Sequence, residues 1–260
     1  MYDYDAEYRR LRAAGLQGWA GSQHERNVAR MAETLDRLER ETFPRPPARV
    51  LELGCGNGMS SSLWIAQKGY EVHGVDSSET AIAWAEQRFA AAALSGSFRQ
   101  GNVCEMPFFA ERSFDVVIDG SCLHCLIGND RARCLQEVRR ILRCEGVFVV
   151  SSMCGLPKSE EAKARFDPQT RHLLENGRAY RTLKPLADIA SELMEAGFEL
   201  QDSRLSVNPW WDHITMTCRS TSGQDWFHQA SRATCDFVSR TRCGAQHSFA
   251  EPGRGSQGEQ

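Results

Sequence analysis

The sequence has no excess of basic residues: 31 Lys and Arg stand against 34 Asp and Glu, for a formal net charge of −3. A surface that neutralises a phosphate backbone or an anionic membrane needs the opposite balance, so neither nucleic acid nor membrane is an expected partner. No apolar run approaches the roughly 18 residues of a bilayer span. The first ten residues, MYDYDAEYRR, lack the apolar centre of a secretory signal. A cytoplasmic location is the expectation. Cysteine is plentiful, at ten residues, but a framework spacing is missing: Cys122 and Cys125 form a C-x-x-C, and no second pair matches it. That pattern argues against structural zinc and against a secreted disulfide scaffold. Several cysteines lie in apolar segments, where a thiol behaves as a small hydrophobe. They are read as reduced thiols, with no metal expected. Internal repeats are also absent.

What is present is an alternation of strand and helix patterns. Residues 24–41 space Val28, Met31, Leu35 and Leu38 as a helix does. Prolines 44, 46 and 47 then break the chain. ARVLELG, YEVHGVD, SGSFRQGNV, SFDVVIDGS and EGVFVVSSM read as five strands, separated by helical segments such as SSETAIAWAEQRFAAAAL, with Ser78 as its N-cap, and NDRARCLQEVRRILR. Apolar strands alternating with helices predict a mostly parallel sheet covered on both faces. After Cys154 the rhythm stops for about thirty residues, an irregular insertion over 155–185, and resumes with a helix at PLADIASELMEAG. FELQDSRLSV and DHITMTCRS follow, joined by a short link containing Asn208 and Pro209 that suits an antiparallel hairpin. Three parts are expected: an N-terminal helical cap or lid over 1–43, a domain over 44–220 that includes the insertion, and a polar, largely disordered tail over 221–260.

The stretch VLELGCGNG puts Gly54, Gly56 and Gly58 at the end of the first strand. Glycine there admits positive φ and lets a ligand approach the backbone. A dinucleotide fingerprint, G-x-G-x-x-G/A, fits poorly, because the sixth position is Met59 counted from Gly54 and Ser61 counted from Gly56. With Glu52 two positions before the first glycine, the stretch resembles motif I (E/D-x-G-x-G-x-G) of the class I S-adenosylmethionine-dependent methyltransferases of the small-molecule type. FDVVIDGSCLHCL resembles that family's fourth strand and loop, Leu142-Arg143-Cys144-Glu145-Gly146 its turn before strand five, and AGFEL its turn into strand six. The resemblance covers roughly residues 48–219.

The resemblance implies a Rossmann-like α/β fold with a seven-stranded, mostly parallel sheet in the order 3-2-1-4-5-7-6, strand seven antiparallel, and helices on both faces. It also implies S-adenosylmethionine as cofactor. Glu52, Gly54, Cys55, Gly56 and Gly58 would surround the methionine part, and Asp76 with Ser77 would meet the ribose. Asn102 and Val103 would lie at the adenine, with Gly120 and Ser121 closing the site. The family usually has an acid at position 102; the Asn102 oxygen is suited to accept from the adenine amino group.

Methyl transfer from a sulfonium is an in-line displacement, so alignment and exclusion of water matter more than a strong base. Asp119, His124 and His213 are candidates near the strand ends. His124 and His213 are carried as candidate catalytic residues, while shaping the pocket and packing the last hairpin remain open for them. Arg171, Arg178, Arg181 and Lys184 in the insertion suit an anionic acceptor. Tyr8, Trp19, Arg178, Arg181 and Trp211 are the candidate substrate residues, and Tyr2 and Tyr4 could join Tyr8 and Trp19 as a lid. The expected reaction is methylation of an oxygen of an anionic small metabolite by a monomer or homodimer. The alternatives are a small-molecule N-methyltransferase, a thiol or metalloid methyltransferase, and a non-catalytic cofactor-binding protein. An Asn/Asp-Pro-Pro-Tyr/Phe segment, which would point to nucleic-acid amino groups, is absent.

Overall fold

Side chains along the central strands alternate between two apolar faces. In β1 (Arg49–Leu53), β4 (Phe114–Asp119) and β5 (Leu142–Cys154), Leu51, Leu53, Val117, Phe148 and Val150 belong to one buried cluster. Val50, Val116, Ile118, Val147 and Val149 belong to another. With a period of two, this requires a sheet buried on both sides. The computed structural model, which describes residues 2–19, 24–221 and 242–244, has that arrangement.

Helices α5 (Asp130–Ile141) and α7 (Leu186–Glu195) cover the first face through Leu135, Val138, Ile141, Ile189 and Leu193. Helices α2 (His24–Glu41), α3 (Ser61–Gln67) and α4 (Glu79–Ala91) cover the second through Leu35, Leu38, Trp64, Ile65 and Phe89. None of the described helices is long and apolar enough to cross a membrane. With β2 (Glu71–Asp76), β3 (Ser97–Gln100), β9 (Phe198–Ser206), β10 (Asp212–Ser220) and β11 (Arg242–Gly244), the sheet runs β11-β9-β10-β5-β4-β1-β2-β3. From β3 to β9 this is the expected order, and β10 is the strand antiparallel to both neighbours. The expected hairpin at Asn208 and Pro209 joins β9 to β10. Strand order reverses between β1 and β4, which opens a crevice at their carboxyl ends.

One expectation needs correction. The insertion is not irregular: it contains α6 (Glu160–Ala164) and an antiparallel sheet of β6 (Phe166–Asp167), β7 (His172–Glu175) and β8 (Arg178–Thr182). Its hairpin turns on Asn176 and Gly177, with φ of 50° and 74°. Asn-Gly is the pair that a two-residue turn with two positive φ angles favours. Within the tail, β11 is an eighth strand that pairs parallel with β9. The remainder of the 221–260 tail beyond Thr221 lies outside the described residues.

The cap begins with α1 (Tyr4–Ala13), docked on the start of α4. Asp5 accepts from Ser78 Oγ at 2.7 Å and Thr80 N at 2.9 Å. The hydrogen bond from Ser78, joined by that from Thr80, holds the Asp5 carboxyl below its usual range. A carboxylate at a helix N-terminus also meets the favourable end of the helix dipole. Ser78 itself caps α4, accepting from Ala81 N at 3.0 Å, as its sequence position predicts.

Candidate functional site

The crevice is floored by the glycine turn. Gly54 and Gly56 have φ of +62° and +54°. A Cβ on Gly56 would stand 2.4 Å from the Tyr8 hydroxyl, and one on Gly54 would stand 2.8 Å from Cys122 Cβ. Asp76, at the end of β2, accepts from Gly56 N through Oδ2 and from Ser78 N through Oδ1, each at 2.9 Å. Burial raises the Asp76 carboxyl, and these backbone donors oppose the shift. Glu52 Oε2 accepts from Ser62 N at 2.9 Å and from the Ser62 hydroxyl, so Glu52 ties β1 to the start of α3. Burial pushes Glu52 up to about 7, against the pull of its serine partners.

Across the crevice, Asp119 is fully buried and accepts from Cys122 N, Leu123 N and Ser151 N at 2.6, 2.9 and 3.2 Å. Burial raises it to about 6. With its oxygens spent on the backbone, Asp119 is a scaffold for the turn after β4. Arg131 holds the same turn from below, donating to Leu123 O at 2.7 Å and to Glu192 Oε2 at 2.7 Å. The contact with Glu192 could not be anticipated from motif spacing, because the two residues are 61 positions apart in sequence.

That turn carries His124. Its Nδ1 accepts from Met153 N at 3.4 Å, which places the ring proton on Nε2. His213 sits opposite Met153 in the β10–β5 pairing, and its ring lies 6.0 Å from that of His124 at 84°. Burial drives His124 well below the usual imidazole range, helped by Arg181 and His213. Burial, with Arg30 and Arg181, lowers His213 to about 3. Both rings are neutral at physiological pH.

A depressed histidine makes stability depend on pH in a definite direction. Between about pH 6.5 and 3 the unfolded chain binds a proton at this position that the folded chain refuses, so stability falls as pH drops through that window and is complete above it. Relative to a His213→Asn variant, the wild type is expected to lose about 2 kcal/mol more between pH 8 and pH 5, measured by urea unfolding. Equal losses in the two proteins would refute the buried, neutral assignment.

A cavity of about 910 Å³ spans the crevice. Glu52, Gly54, Cys55, Gly56, Asp76 and Ser77 line one end, with Asn102, Val103, Gly120 and Ser121 beside them. Trp19, His124, Arg181, Trp211 and His213 line the other. Tyr8, expected at the acceptor, lines the cavity over the glycine turn. Asn102 Oδ1, assigned from sequence to an adenine amino group, also accepts from Cys104 N at 2.9 Å.

Two expected residues stand outside the cavity. Gly58 packs towards α4, where a Cβ would come within 3.2 Å of Ala85 Cβ, so its lack of a side chain serves helix packing. Arg178 is exposed beside the Asn176–Gly177 turn, opposite Glu175 in the hairpin register. Its place at the hairpin tip carries it away from the crevice. Lys184 is committed to Glu192, which leaves Arg181 as the basic residue lining the cavity among those described. Arg181 Nη1 donates to Cys125 Sγ at 2.8 Å. None of the eight described cysteines with a recorded state is disulfide-bonded, and among the described residues no three His, Cys, Asp or Glu side chains gather as a metal site.

One lining residue escaped the sequence reading. Asn27, on α2, has a buried Oδ1 with no hydrogen-bond partner. Such an acceptor suits an ammonium group. Together with the buried carboxylate of Asp76 at the end of β2, it offers acceptors of the kind that an ammonium group and ribose hydroxyls need.

Residues 51–150 match the family described as Methyltransferase domain. A probable S-adenosylmethionine-dependent methyltransferase of Mycolicibacterium smegmatis is 32% identical over 155 residues, which are 59% of this chain and 53% of that protein. Over this stretch the chain is similar to the S-adenosylmethionine-dependent methyltransferases. The chain spans about half the length of this relative and of its counterparts in Mycobacterium tuberculosis. The ubiquinone biosynthesis O-methyltransferase of Azorhizobium caulinodans is 26% identical over 76% of this chain and 81% of its own length. The structure of Burkholderia thailandensis 1,6-didemethyltoxoflavin-N1-methyltransferase, with bound 1,6-didemethyltoxoflavin and S-adenosylhomocysteine, shares the fold. It superposes with a TM-score of 0.62 at 22% identity, over 85% of the present chain and 86% of that one.

Proposed function

We propose that this chain transfers the methyl group of S-adenosylmethionine to an oxygen of a small anionic acceptor. When bound, the cofactor would supply an electrophilic sulfonium methyl, with the neutral thioether of S-adenosylhomocysteine as the leaving group. Asp76 would accept from the ribose hydroxyls, Asn27 from the ammonium group, and the Gly54–Gly56 turn would lie against the methionine part. His124 and His213 would stand at the acceptor end.

The observation that carries the acceptor reading is the pairing of Arg181 with two imidazoles held neutral by burial. A histidine driven far below its ordinary range is a weak base, so it gives little help in removing a proton. An acceptor that arrives already ionised needs no such help, and Arg181 supplies the matching charge. A protonated amine would need a base and would meet a cation. His124 and His213 are therefore assigned to positioning the acceptor and excluding water.

Binding of S-adenosylhomocysteine tests the cofactor end. At a hundredfold excess over Kd, ligation stabilises a protein by about 2.7 kcal/mol. For a chain of this size that is a rise in melting temperature of about 5–10 °C. No rise at millimolar S-adenosylhomocysteine would sink the proposal. The anionic-oxygen reading is checked separately by radiolabelled methyl transfer to matched acids and amines.

A further inference from the structure

One wall of the cavity is a continuous run of rings. Tyr8 and Trp19 have centroids 5.6 Å apart, Trp19 and Tyr4 5.8 Å, Tyr4 and Tyr2 4.8 Å, and Tyr2 and Tyr180 5.8 Å. The run starts over the glycine turn, where the Tyr8 hydroxyl crowds Gly56, and ends on β8. It therefore extends from the cofactor end of the cavity to the acceptor end. The Arg181 guanidinium lies along it, 5.3 Å from the Tyr180 ring centre and 6.0 Å from that of Trp19. Tyr4 Oη donates to Tyr180 O at 3.3 Å, which joins α1 to β8. Burial raises the Tyr4 phenol, so it stays protonated and adds no negative charge to the wall.

Such a surface selects shape and charge together. Aromatic rings gain from stacking on aromatic rings beyond the burial of area, whereas saturated rings of the same size gain the area alone. One guanidinium beside the wall matches one planar anionic group. A dianion would bring a second charge into an apolar cavity where no further described cation lines the wall.

We infer that the acceptor is a planar aromatic acid, a single or fused ring carrying one ionised carboxylate or hydroxyl, laid against the Tyr–Trp wall with its charge at Arg181. This rests on the methyl-transfer reading above and narrows its acceptor to one chemical class.

The test uses the full chain saturated with S-adenosylhomocysteine, titrated by calorimetry and by quenching of tryptophan fluorescence. The probes are benzoate, 4-hydroxybenzoate, 2-naphthoate and 6-hydroxy-2-naphthoate. They are compared with cyclohexanecarboxylate, which keeps the charge without the ring, and with phenol and 2-naphthol, which are uncharged at neutral pH. At least one aromatic acid is expected to bind about tenfold tighter than both its saturated and its uncharged counterparts. Arg181→Met should abolish the preference for acids over uncharged rings while keeping the preference for rings. Arg181→Lys should restore part of the charge preference, and its retained S-adenosylhomocysteine binding shows that the chain is folded. Saturated acids binding as tightly as aromatic ones, or binding of S-adenosylhomocysteine with none of the aromatic acids, would overturn the inference and leave the methyl-transfer reading standing. Failure to bind S-adenosylhomocysteine at all would overturn both.

Discussion

Replacing Asp76 by alanine is expected to raise the Kd for S-adenosylhomocysteine by about a hundredfold. Two hydrogen bonds from ribose hydroxyls to a carboxylate are worth about 1.5–3 kcal/mol each, and 1.4 kcal/mol is a factor of ten. The change also unties the floor of the site. Asp76 holds Gly56 N and Ser78 N, so its loss frees the glycine turn and removes one anchor near the α4 N-terminus. Asp76→Asn separates the two contributions, because an amide keeps the shape and one acceptor but loses the charge. About a tenfold loss is expected for it. Calorimetric titration of both variants decides the matter, with circular dichroism confirming that they fold. Affinity unchanged in Asp76→Ala would remove Asp76 from the cofactor site.

Replacing Glu192 by alanine is expected to produce the largest loss of stability. Glu192 meets Arg131, whose side chain is 4% exposed, and also accepts from Lys184. Burial pushes the Glu192 carboxyl up, but its hydrogen bond and charge interaction with Arg131 more than offset this and hold it below its usual range. Truncating one partner of a buried pair strands the other charge, at a cost of about 3–5 kcal/mol. For a chain of this length that is a fall in melting temperature of about 10 °C. Lys184, at 30% side-chain exposure, can turn to water, whereas Arg131 cannot. The double variant Arg131→Met/Glu192→Met should recover much of the loss, since an apolar pair leaves no stranded charge. Because Arg131 also donates to Leu123 O, the double variant should still loosen the turn bearing His124. A Glu192→Ala protein that melts with the wild type would refute the account.

The sheet was legible because each of its strands announces itself locally. A strand buried on both faces is apolar along its length, as in VLEL and DVVI, and the following glycine or capping residue marks its end. Glu52, Gly54, Gly56 and Asp76 were readable for the same reason: they sit at fixed offsets from those strand ends. Gly58 was read with them, but positive φ and close approach to a helix produce the same residue choice as approach to a ligand. The insertion was harder, because its strands are short, polar and half-exposed. The Asn176–Gly177 pair was the signal that could have revealed the hairpin.

The acceptor end was not legible at that level. Arg171, Arg178, Arg181 and Lys184 are equivalent cations in the sequence, yet a hairpin tip leaves Arg178 exposed, Glu192 claims Lys184, and β8 brings Arg181 to the cavity. His124 and His213 are 89 residues apart, and only the β10–β5 register brings them to the same methionine. Their neutrality is a consequence of burial, a property of the assembled molecule and not of any segment. The sequence by itself determined the strand and helix segments and the place of the glycine floor, because these depend on local periodicity and short offsets, while the strand order and the class of cofactor followed from the resemblance its motifs carry. The tertiary structure alone decided the charge and shape of the acceptor end, because those arise where α1, the turn after β4, β8 and β10 converge.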